Sequence, residues 1–121
     1  MTFAVLKFET KTISKWIELF VNMKRKPLTT EELNEALQSL PGWQIKNGKL
    51  HKVFVFSSFS RAIGWMVSTA VEADKLDHHP EWTNVYNRVI VNLVTHDLGN
   101  QISTWDIHLA QIMDKLAEQP L

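Results

Sequence analysis

Asn47-Gly48 lies between two runs, Trp43 to Lys46 and Lys49 to Phe56, that carry aromatic and β-branched residues. Both turn residues tolerate the positive φ of a two-residue type I′ turn, so this stretch predicts two strands paired as an antiparallel hairpin. Thr29-Thr30-Glu31-Glu32 comes before it and places a hydroxyl at a helix N-cap with a carboxylate three positions on. A helix is predicted from about Thr30 to Ser39, with Leu33, Ala36, Leu37 and Leu40 at helical spacing, until Pro41-Gly42 turns the chain.

Ser57, Ser58 and Ser60 offer caps for a second helix, in which Ile63, Met66, Val67, Ala70 and Val71 form one apolar stripe. That helix is expected to be the central packed one and to end near Leu76, because Pro80 pushes its predecessor out of helical geometry. From Trp82 to His96 the chain again reads as a hairpin, with strands near Trp82 to Tyr86 and Val89 to Thr95 around Asn87-Arg88. Gly99-Asn100 breaks the run. Ser103 with Asp106 three residues later resembles another capping box, opening a last helix with Ile107, Leu109, Ile112, Met113 and Leu116 available for burial. Helix, hairpin, helix, hairpin, helix is an α+β pattern with an antiparallel sheet covered by helices.

The 121 residues suit one domain, and 45% apolar with 21% charged residues is the balance of an ordinary soluble globular chain. With no cysteine there is no disulfide framework, thiolate metal site or cysteine nucleophile, and a reducing, cytoplasmic setting fits. Thirteen basic and thirteen acidic side chains cancel, which disfavours direct nucleic-acid binding. Lys7 and Glu9 interrupt the first apolar run, so no secretory signal is expected, and no stretch approaches the roughly 18 apolar residues of a membrane span. Residues 1 to 27 stand apart, with a short strand expected at Phe3 to Phe8 and an amphipathic segment around Ile13, Trp16, Ile17, Phe20 and Val21. A docked extra helix is the plain reading there, and Glu9 and Glu18 argue against a transit peptide.

Three of the five histidines, His78, His79 and His96, fall where predicted elements end. Element ends are where scaffolds carry chemistry, and neighbouring imidazoles can hold acid and base forms together near neutrality. His51 and His108 read as ordinary surface or core residues. Metal binding by the three with Asp77 or Asp97 is disfavoured, since consecutive residues rarely turn both rings onto one ion. Asp74, three residues after Val71, extends the stripe into the last helical turn, where a carboxylate opposes the helix dipole. An acid aimed at the histidine edge or a salt bridge with Lys75 would each account for it. Asp106 is explained by its cap alone. Trp82 reads either as core or as an aromatic wall for a flat heterocycle.

Glu72-Ala-Asp-Lys-Leu-Asp-His-His-Pro-Glu-Trp82, then Asn84-Val-Tyr-Asn-Arg-Val89, Thr95-His96-Asp97 and Asp106, resembles the signature of the pterin-4a-carbinolamine dehydratases. Leu28-Thr-Thr-Glu-Glu-Leu33 and Pro41-Gly-Trp43 are similar to that family's opening helix and first strand. The likeness covers about 90 residues from Leu28 on, and residues 1 to 27 have no counterpart in it. It implies a four-stranded antiparallel sheet with helices on one face, assembled as a dimer or tetramer. The implied reaction is loss of water from a 4a-hydroxytetrahydropterin, the adduct released by aromatic amino acid hydroxylases, to give a quinonoid dihydropterin. Neither metal nor redox cofactor is implied. His78, His79 and His96 carry over as the catalytic histidines. Pro80 and the segment Thr95, His96, Asp97 and Leu98 carry over as the lining of the pterin site, with Asp74, Trp82 and Asp106 as further substrate-binding positions. Asp74 stands where glutamate is frequent. The resemblance also allows a protein-binding role, since some relatives are dimerisation partners of a transcription factor.

Overall fold

The computed structural model describes residues 26–119. Helix α1 spans Thr30–Leu37, strand β1 Gln44–Lys46, β2 Lys49–Val55, helix α2 Phe59–Leu76, strand β3 Glu81–Val85, β4 Arg88–Leu93 and helix α3 Thr104–Ala117, with one 3-10 turn at His96–Leu98. The strands form one antiparallel sheet in the order β1-β2-β4-β3. The α+β expectation therefore holds. The strand and amphipathic segment expected within residues 1 to 25 lie outside the described residues.

Local chemistry sets the boundaries. The Thr29 hydroxyl accepts from Glu32 N–H at 3.1 Å while the Glu32 carboxylate accepts from Thr29 N–H at 2.9 Å. Hydrogen bonding to Thr29, first its backbone N–H and then its side chain, holds the Glu32 carboxyl below its ordinary range. Asn47 (φ 53°) and Gly48 (φ 75°) make the left-handed turn between β1 and β2. α1 closes at Leu37, two residues before the expected end, and Trp43 is a buried residue ahead of β1. The second hairpin turns one residue earlier than expected, at Tyr86-Asn87. Tyr86 takes φ 53°, and Asn84 Nδ2 steadies it by donating to Tyr86 O and Arg88 O.

One face of the sheet, with Leu50, Phe54, Val89, Val91 and Leu93, packs with Ala62, Trp65, Ala73, Leu109, Ala110 and Met113 of the helices. Trp65 is central: its ring lies 4.4 Å from Phe54 and 6.1 Å from Trp82, and its Nε1–H donates to Met113 O at 3.0 Å. This corrects the expected stripe of α2. Ala62, Trp65, Thr69 and Ala73 face inward, whereas Ile63 is 36%, Val67 60% and Val71 51% exposed. The helix is apolar on two sides. The largest ring takes the core, which leaves Ile63, Val67, Ala70 and Val71 outside and Met66 only partly covered.

Candidate active site

The end of α2 delivers the first two imidazoles. Asp77 adopts the left-handed conformation (φ 53°), and the N–H of His78 folds back to Ala73 O at 3.1 Å, a Schellman-type close that points the chain away from the helix. Pro80 then starts an extended path into β3. The third imidazole enters from the far end of β4, on the 3-10 turn that follows Thr95. Thr95 N–H donates to Gln101 O at 2.9 Å, and Leu28 N–H donates to Ile102 O at 3.0 Å, so the 95–103 loop is tied at its base.

A cavity of about 340 Å³ lies between these two chain segments, lined by Asp77, His78, His79, Pro80, Glu81, Thr95, His96 and Asp97. All three expected histidines meet there, together with Pro80, Thr95 and Asp97. Asp74, Trp82, Leu98 and Asp106 do not line it. Asp74 is not part of an inward stripe: its side chain is 78% exposed, and its Oδ1 accepts from His79 Nε2–H at 3.0 Å. Lys75 pairs with Glu72 instead. Trp82 belongs to the aromatic core beside Trp65.

Asp106 does more than cap α3. It is fully buried and accepts from Ser103 N–H at 2.8 Å, from the Thr95 hydroxyl at 2.8 Å and from His78 Nε2 at 2.6 Å. The Thr95 hydrogen is spent on Asp106, so the Ser103 hydroxyl, 2.6 Å away, donates to the Thr95 oxygen. As the acceptor of these bonds, the carboxylate takes a hydrogen from His78 Nε2, which leaves Nδ1 as that ring's other nitrogen. Behind the cavity, then, stands a rigid acceptor that fixes one imidazole.

Two features escaped the sequence reading. Glu81 lines the cavity and is gripped by Lys49 Nζ at 2.6 and 2.9 Å. Asn100 Oδ1 sits 2.9 Å from His96 Nδ1. The first joins residues 32 positions apart and had no local signal, while the second was visible only as a turn residue in Gly99-Asn100.

The family model described as "Pterin 4 alpha carbinolamine dehydratase" matches residues 26–116. This chain belongs to that family. A relative from Jannaschia sp. (strain CCS1) is 53% identical over 79 residues, covering 64% of this chain and 80% of its own length. One from Brucella ovis is 47% identical over 97 residues, covering 78% of this chain and 99% of its own. The names of both place them with the same dehydratases. Among solved structures, one from Brucella melitensis described as a transcriptional coactivator/pterin dehydratase superposes with a TM-score of 0.72 at 47% identity, over 76% of this chain and 99% of that one. The dehydratase fold, with three helices and an open four-stranded sheet, is thus shared.

Proposed function

We propose that this chain dehydrates a 4a-hydroxytetrahydropterin to the quinonoid dihydropterin in the cytoplasm, recycling the pterin used by aromatic amino acid hydroxylases, with imidazoles as acid and base. The observation that carries this is the convergence of His78, His79 and His96 on one cavity, each ring held by its own oxygen acceptor. A cavity of about 340 Å³ is at the small end of ligand pockets and suits a bicyclic heterocycle. The reaction needs a proton at the departing hydroxyl and a base at a ring N–H; the electron pair of that N–H closes a C=N bond as water leaves. It consumes no electrons. Each imidazole already has an organic partner, and among the described residues no three His, Asp or Glu side chains are grouped to hold a metal ion.

His78→Ala, His79→Ala and His96→Ala should each lower kcat for dehydration by about 10² to 10⁴. Losses under about tenfold at all three would overturn the assignment.

A second reading is favoured by one specific observation: Phe59 (51% exposed), Ile63, Val67 and Val71 run along the outer side of α2 as an uncovered apolar stripe. In this reading the stripe joins copies of the chain into a dimer or tetramer, or receives a protein partner, as the coactivator description of the Brucella melitensis structure suggests. Val67→Glu should then lower the sedimenting mass or abolish partner capture while the folded monomer keeps its dehydratase site. A wild-type protein that sediments as a single chain and binds no partner would contradict it.

A further inference from the structure

The three imidazoles do not have the same kind of partner. His78 and His79 face carboxylates, Asp106 and Asp74 respectively. His96 faces a neutral amide: its Nδ1 is 2.9 Å from Asn100 Oδ1. A carboxylate favours the charged ring, whereas an amide oxygen mainly selects a tautomer. Because that oxygen only accepts, Nδ1 carries the hydrogen, and the neutral ring keeps its lone pair on Nε2. Nε2 is then the nitrogen available to a ligand in the cavity that His96 lines.

The loop is shaped for this contact. Gly99 (φ 69°) closes the 3-10 turn with its N–H on His96 O at 3.1 Å, and Asn100 follows in the same left-handed region at φ 63°. The Thr95–Gln101 bridge brings the two ends of this loop together. Glycine would hold the Asn100 backbone at least as easily. What glycine lacks is the side-chain oxygen that reaches back to His96.

We propose that Asn100 is a positioning residue that holds His96 in its Nδ1–H tautomer, so that Nε2 is the base of the dehydration and a carboxylate-paired imidazole is the acid. The tautomer assignment stands on geometry alone; the catalytic half rests on the dehydratase reading above. In the step, His96 Nε2 takes the proton of the ring N–H, and the freed pair closes the C=N bond. The carbon–oxygen bond breaks as His78 or His79 gives its proton to the hydroxyl. Water leaves, and one proton returns from His96 to the acid through solvent.

The test is ¹⁵N NMR of imidazole-labelled full-length protein at alkaline pH, where the rings are neutral, combined with steady-state kinetics. Wild-type His96 should show the Nδ1–H pattern. Asn100→Gly keeps the left-handed backbone and should move His96 towards the Nε2–H form, with an unchanged melting temperature. Its kcat should fall roughly tenfold or more, within the contribution of a positioned base, at a nearly constant KM. Asn100→Asp keeps an acceptor oxygen and should restore the Nδ1–H pattern. An Nε2–H pattern in the wild type, or a tautomer unmoved by Asn100→Gly, overturns the proposal. So does an unchanged kcat in Asn100→Gly. If the wild type dehydrates no pterin, the base assignment falls with the dehydratase reading, and a tautomer change in Asn100→Gly would still identify that failure as the reading's own.

Discussion

At the residue scale the site depends on one buried charge. Removing a carboxylate from water is costly unless its lone pairs are used, and Asp106 offsets that cost with three donors: His78 Nε2–H, the Thr95 hydroxyl and Ser103 N–H. Asp106→Asn would turn an amide NH₂ towards at least one of them, leaving donor against donor. A loss of about 1–3 kcal/mol is expected, read from the urea midpoint at constant slope. Asp74→Asn should stay within about 0.5 kcal/mol, because that side chain is largely exposed. This contrast was only partly legible. The spacing from Ser103 marked Asp106 as a cap, but that its carboxylate also holds His78, 28 positions away, follows from the closed fold. Asp74 appeared inward because the stripe it extended was itself assigned to the wrong side of α2.

Elements were read well wherever the chain announces its own ends. Asn47-Gly48, the Thr29 and Ser103 boxes and the stop before Pro80 all depend on backbone preferences within a few residues, and each sits where expected. α2 is capped by Ser58, whose hydroxyl accepts from Arg61 N–H at 3.1 Å. Ser58→Ala should therefore cost about 1 kcal/mol by urea unfolding, and the same change at exposed Ser57 almost nothing. The rotation of α2 about its axis was not legible. Ile63, Val67 and Val71 are as apolar as the buried face, and periodicity does not say which of two apolar sides meets the sheet. Trp65 decides it, because only the core has room and a carbonyl, Met113 O, for its indole. In the second hairpin the turn moved because Asn84 supports a left-handed Tyr86, an arrangement that β propensity alone does not reveal.

At the scale of the molecule, one histidine outside the site links folding to pH. Burial disfavours the charged form of His108 and lowers its pKa from the ordinary value near 6.5. The unfolded chain then binds the proton first, so His108 imposes no penalty above about pH 6.5 and reduces stability as the pH falls below it. His108→Gln should flatten the loss of stability between about pH 7 and about pH 5, and an unchanged slope would contradict this account. The helices leave the far end of β4 and the close of α2 adjacent, and the candidate active site occupies that junction. The chemistry proposed for it is acid–base dehydration by three oriented imidazoles. The most direct measurement is the ultraviolet rate of 4a-hydroxytetrahydropterin dehydration by the purified full-length protein, with and without a chelator, set against the spontaneous rate. Acceleration that the chelator leaves intact is the predicted result. A rate no faster than the spontaneous one would contradict the claim.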